Sequence, residues 1–254
     1  MRYYTENEFR QEIDDPARKM LELWHKECRN RFQTDLEVKI ADRHQNFRFQ
    51  DIEETFSTAL PEKIENKLTL VLWLESVEPL NNVLITHELG HFVLNLRGFK
   101  FLVNSLEPSG DVGGMLNSFA SHPPLFVLQR STGHNPQPMI DLKMKDDIEV
   151  YESPNKLQPQ FFIRDGLLVA DDLNNCSLDE KQRLTKIVQD RYPNIYKVAN
   201  TALDTIRYYD LNDPKQNLRF IKNLRKVLNL GSSWIEYDYA DKMSHQIKDK
   251  KISP

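Results

Sequence analysis

NVLITHELGHFVLNLRG, from Asn82 to Gly98, has apolar residues on more than one helical face, an arginine in its last turn and a glycine just beyond it. That pattern predicts a helix buried on most sides and closed by a glycine C-cap. Inside it, His87-Glu88-Leu89-Gly90-His91 matches H-E-x-x-H. Residues i and i+4 share one face of a helix, so His87 and His91 can offer imidazole nitrogens to a single zinc ion. Glu88, about 100° around the helix from His87, borders that face. A carboxylate there can take a proton from a water whose pKa the metal has lowered, making a nucleophile for an amide or ester carbonyl. Val83, Leu84 and Ile85 on one side and Phe92, Val93 and Leu94 on the other make the surroundings apolar, so both imidazoles need a partner. The competing reading is two core histidines satisfied by backbone carbonyls, with Glu88 in a salt bridge.

A catalytic zinc site takes three protein ligands and keeps a fourth position for water. The downstream candidates for the third ligand are Glu107, Asp111, His122 and His134. His122 is favoured, because it closes a short helix predicted for Met115–Ser121 that Pro123 should stop, fixing the backbone there. Asp111, Glu107 and His134 follow in that order. A helix-end histidine held by the macrodipole is the alternative for His122, and Asn117 reads as an ordinary polar helix position.

Working outward, a helix is predicted from about Pro16 to Arg31. Leu36–Ala41 (LEVKIA) alternates as a half-buried strand does, and Phe47 and Phe49 alternate again. Lys67–Leu74 (KLTLVLWL) reads as a central strand; an edge beside the metal helix would instead suit main-chain pairing with an extended peptide. Glu107–Gly114 reads as a turn, Leu125–Gln129 as a further helical turn, Ile148–Tyr151 as a strand, and Gly133–Pro138 and Ser153–Pro159 as loops. Ser177 with Glu180 forms a capping box opening a helix that Pro193 ends, and Tyr196–Tyr208 and Leu218–Leu230 repeat the helical pattern up to Gly231. The expected architecture is α+β: a small sheet, a central metal-binding helix and a helical C-terminal region. The expected organisation is a metal-binding domain over 1–176, a helical region over 177–237 packed on it, and a fraying tail over 238–254.

Composition narrows the function. The 254 residues suit one large domain or two small ones, and 39 % hydrophobic with 28 % charged residues describes a globular chain. A formal net charge of −4 removes the global pull that nonspecific nucleic-acid binders carry. The local basic run Lys215–Lys226 (KQNLRFIKNLRK) reads as a helix with a solvated basic face. Cys28 and Cys176 form no paired pattern, which fits a reducing compartment. The first ten residues, MRYYTENEFR, are polar, and the apolar run Leu68–Leu74 is far shorter than the ~18 residues of a membrane span. A cytoplasmic location follows as the expectation. No glycine-rich phosphate loop, G-x-S-x-G elbow or cysteine-nucleophile signature is present. Tyr151, His134, Arg97 and Arg130 are the side chains that could stabilise an oxyanion, and nothing in the sequence singles one out.

HELGH on a buried helix resembles the zincin metallopeptidases, and Asn117-Ser118-Phe119-Ala120 resembles the Asn-x-Phe-Ala stretch of ImmA/IrrE-type zincins. In that family a glutamate just before the asparagine is the third ligand; here those positions are Gly113, Gly114, Met115 and Leu116, none of which can bind zinc. The resemblance implies a zincin-like fold, zinc held by His87 and His91, Glu88 as general base, and a peptide or protein substrate. The expectation is therefore a cytoplasmic zinc-dependent hydrolase with His87, His91 and His122 as ligands and Glu88 as base. Its alternative is a noncatalytic interaction or regulatory protein on the same fold.

Overall fold

The computed structural model describes residues 2–46, 58–104, 111–153, 161–231 and 233–248. It is α+β, with helices predominating over two small sheets. The chain forms two compact units: residues 1–98 with 127–134 and 238–254, and residues 99–126 with 135–237. This division differs from the expected one, and no boundary falls at 176.

The first unit is built on a four-stranded sheet of β1 (Tyr3–Thr5), β2 (Glu37–Asp42), β3 (Thr58–Ile64) and β4 (Lys67–Leu74), in the order β1-β2-β4-β3. β2 and β4 run parallel, and the other pairs are antiparallel. Leu68 to Leu74 are all buried, so β4 is the interior strand its continuous apolar run predicts. Its main-chain groups are committed to β2 and β3. Lys67–Leu74 therefore has no edge to offer an extended substrate; among the described residues the rims of the sheet are β1 and β3.

Among the described residues, four helices lie wholly within this unit. The short α1 (Glu6–Phe9) precedes α2 (Asp15–Phe32), which Asp14 caps by accepting from the Ala17 amide at 2.9 Å. α2 buries Met20, Leu21, Trp24 and Cys28 at helical spacing. α3 (Asn82–Leu96) starts where Asn81 accepts from the Val83 and Leu84 amides, and Gly98, at φ +94°, follows its end as the expected left-handed glycine. Trp24 meets Phe92 edge-on at 6.3 Å, which joins α2 to α3. The tail expected to fray instead forms α10 (Tyr239–Lys248). Ala240 and Met243 are buried there, and Arg31 pairs with Asp241 at 2.5 Å, so the segment has an apolar side that its polar composition concealed.

The second unit is mainly helical, with a two-stranded antiparallel ribbon of β5 (Phe101–Asn104) and β6 (Trp234–Tyr237). Its core gathers Phe119, Met144, Tyr151, Leu167, Val188 and Phe220 among others. The largest departure from expectation is α4 (Asp111–Thr132), which runs straight through Pro123 and Pro124 and takes Gly113 and Gly114 into its first turns. A proline inside a helix cannot serve the carbonyl four residues back. For Pro124 that carbonyl is Ala120, and the buried Asn217 side chain supplies the missing donor at 2.7 Å. A tertiary hydrogen bond thus serves the carbonyl that Pro124 orphans.

The strand expected at Ile148–Tyr151 is part of α5 (Gln137–Glu152), where Ile140, Met144, Ile148 and Tyr151 are buried at helical spacing. α6 (Phe162–Asn175) was not anticipated, while α7 (Leu178–Arg191), α8 (Pro193–Ile206) and α9 (Pro214–Val227) stand close to where the periodicity puts them. The capping box at Ser177 does not form: the Ser177 amide donates to Asp141 Oδ1 at 3.0 Å, so the role expected of Glu180 is already filled. In α9, Phe220, Ile221 and Leu224 are buried and Lys215, Arg219 and Lys226 exposed, the solvated basic face that was expected. The strand residues Phe47 and Phe49, the ligand candidate Glu107 and most of the Ser153–Pro159 loop lie outside the described residues.

Candidate metal centre

α3 presents His87 and His91 one turn apart. Their Nε2 atoms face each other at 3.2 Å and their rings are nearly perpendicular, with centroids 4.8 Å apart. Two nitrogens bound to one tetrahedral zinc ion lie about 3.3–3.4 Å apart, so this spacing suits a shared cation. His122, on α4, completes the group: one ligand atom from each of His87, His91 and His122 lies within 4.8 Å of the others. Among the described residues this is the group of three that could hold a metal ion. All three residues are half-buried.

Glu88 is buried, at 9 % exposure, and burial pushes its carboxyl up to about 8. A cation at the neighbouring imidazoles would act in the opposite direction.

The other sequence candidates fall elsewhere. His134 is bonded at both ring nitrogens, Nδ1 to Thr86 Oγ1 at 2.9 Å and Nε2 to Asp14 Oδ2 at 3.0 Å. Gln129 donates to the same hydroxyl at 3.0 Å, so His134 belongs to a buried polar network that ties α3 to the start of α2. Asp111 opens α4, and its side chain, like Glu107, lies outside what is described. Asn117 bonds the amide and carbonyl of Leu102 at 3.0 and 2.9 Å, which fastens α4 to β5. Of the four oxyanion candidates, Tyr151 sits in the second unit's core and Arg97 pairs with Glu27 at 2.9 Å. Arg130 is exposed.

One side chain bonded to a candidate ligand escaped sequence reasoning. Asp171, on α6, lies with Oδ2 2.5 Å from His122 Nδ1, and Asn175 donates to its Oδ1 at 2.8 Å. The available signal was the polar Asp171-Asp172-Leu173-Asn174-Asn175 run attached to the apolar Leu167–Ala170. No protein-family model, curated protein or solved structure matches this chain.

Proposed function

We propose that this chain is a zinc-dependent hydrolase, a metallopeptidase in which His87, His91 and His122 hold the metal and Glu88 serves as general base. The carrying observation is the convergence of the three imidazoles, with Glu88 next to His87 on the same helix. Three neutral nitrogen donors with a fourth position left for water is the ligand set of a catalytic zinc site, whereas a structural site is closed by four protein ligands. Zinc bound there would supply a Lewis acid and a water of lowered pKa. Glu88 then accepts the proton of the attacking water and returns it to the leaving amine. The α3 backbone fixes His87, Glu88 and His91 relative to one another, because its cap at Asn81 and its buried apolar faces leave the helix no freedom to rotate.

The peptide as substrate is carried by the resemblance of HELGH and its buried helix to zincins. A cytoplasmic location is supported by two free cysteines, Cys28 and Cys176. Among the described residues no helix is long and apolar enough to cross a membrane.

Metal analysis of the purified chain tests the reading: about one zinc per chain is expected, lost in His87→Ala. Glu88→Gln should keep the metal and lower peptide hydrolysis by about 10²–10⁴-fold. Metal-free protein that also refuses added zinc ends the proposal. Full hydrolysis by Glu88→Gln removes Glu88 from the mechanism.

A further inference from the structure

We infer that Asp171 is the positioning residue of the metal centre, holding His122 by Nδ1 so that Nε2 is the nitrogen offered to the ion. This rests on the zinc reading above and adds a residue to it.

A carboxylate only accepts, so the contact between Asp171 Oδ2 and His122 Nδ1 at 2.5 Å assigns the proton to Nδ1 and the lone pair of the neutral ring to Nε2. The carboxylate is itself held. Asn175 Nδ2 donates both to Asp171 Oδ1 and to the Asp171 carbonyl, each at 2.8 Å, which fixes the orientation of the acid on its helix. Phe126, one turn further along α4, stacks on the His122 ring with centroids 5.3 Å apart and planes 26° apart. One restraint sets the tautomer, the second the acid and the third the ring plane.

Burial adds to the effect. Asp171 is 8 % exposed, and a hydrogen bond to a charged acceptor is strengthened where water is scarce. The backbone beneath it is tightly placed as well: a Cβ on Gly166, on the same helix, would lie 2.5 Å from Val198 Cβ, so α6 and α8 are in close backbone contact. Three neutral imidazoles compensate none of the charge of a divalent ion. The Asp171 carboxylate supplies negative charge one ring away and makes Nε2 the better donor. His87 and His91 need no such help to share a face, because one helix places both.

The test is zinc affinity, measured by competition with a chromophoric chelator on the full metal-free chain. Four proteins are compared: wild type, Asp171→Asn, His122→Ala and the double variant. Asp171→Asn should weaken zinc binding about 10–100-fold. In the His122→Ala background the same substitution should change affinity less than about twofold, because its effect passes through a ring no longer present. An unchanged affinity in the single variant overturns the inference, as does an equal loss in both backgrounds, which would mark a structural role. Wild-type protein that binds no zinc is a separate result, since it defeats the metal reading first and this inference with it. Nitrogen NMR of metal-free wild type, at a pH where the ring is neutral, gives a readout that needs no variant to fold: His122 should carry its single proton on Nδ1, and a neutral ring protonated on Nε2 with Nδ1 bare refutes the assignment.

Discussion

Asn217 donates through Nδ2 to the Ala120 carbonyl, the acceptor left without its helical partner by Pro124. The same amide also reaches the Leu211 carbonyl at 3.2 Å. Asn217→Ala would leave two buried acceptors unserved and should cost about 1–3 kcal/mol, read as a lower urea midpoint. Pro124→Ala restores a backbone N–H beneath Ala120 and should recover part of that loss. Strictly additive effects of the two substitutions would disprove the compensation.

Zinc should stabilise the chain through its three imidazoles. At free zinc 100-fold above its dissociation constant, linkage gives about 2.7 kcal/mol, or a rise in melting temperature of about 5–10 °C. His91→Ala should melt at the same temperature with and without zinc. A metal-induced shift that survives this substitution places the binding site elsewhere.

Both ring nitrogens of His134 are taken up, by Thr86 and by Asp14. Thr86 is fully buried and its hydroxyl meets the Val83 carbonyl, His134 and Gln129. Thr86→Val keeps the shape and removes the hub, at an expected cost of about 1–3 kcal/mol in unfolding free energy. Zinc affinity should not change. If it drops tenfold, His134 contributes to the site after all.

Alkaline conditions should weaken the fold through Cys28. Burial raises this thiol far above its ordinary range, and burial also pushes Cys176 up to about 11. The unfolded chain therefore ionises first as pH rises. Stability from the buried thiols is whole below about pH 8.5 and declines above it, at up to about 1.4 kcal/mol per pH unit for Cys28. Comparing urea midpoints between pH 8 and 10, Cys28→Ala should show a shallower decline than wild type. Parallel slopes would contradict the assignment.

Gly166 is required by contact rather than by backbone angle. A methyl there would fall 2.5 and 2.6 Å from the Val198 side chain and 3.1 Å from the Ile195 carbonyl. Gly166→Ala should cost about 1–3 kcal/mol by overpacking, despite the usual helix-propensity gain of alanine. Val198→Ala should relieve much of it, and a stabilised Gly166→Ala protein would refute the close approach.

The elements legible from sequence are those whose signals are local. Asp14, Pro16 and the Met20-Leu21-Trp24 face mark α2, and Asn81 with Gly98 brackets α3. Two of the three histidines that could hold an ion, His87 and His91, share one short motif and are legible from it. His122 was expected at a helix end, and it lies in mid-helix, where Asn217, from far along the chain, serves the Ala120 carbonyl that Pro124 leaves without its helical donor. Asp171 was invisible for the same reason, since its partner is distant in sequence and α6 carries no cap that forms. Ile148–Tyr151 failed differently, because four residues taken alone do not separate period 2 from period 3.6.

The rims of the four-stranded sheet carry a consequence for solubility. One rim is the three-residue β1, and the other is β3, with Pro61, Glu62 and Lys63 in its middle. A missing N–H and charged side chains make a strand a poor template for a neighbouring molecule. The continuously apolar segment LTLVLWL is paired on both sides, and among the described residues the strands at the rims are ill-suited to recruit other copies.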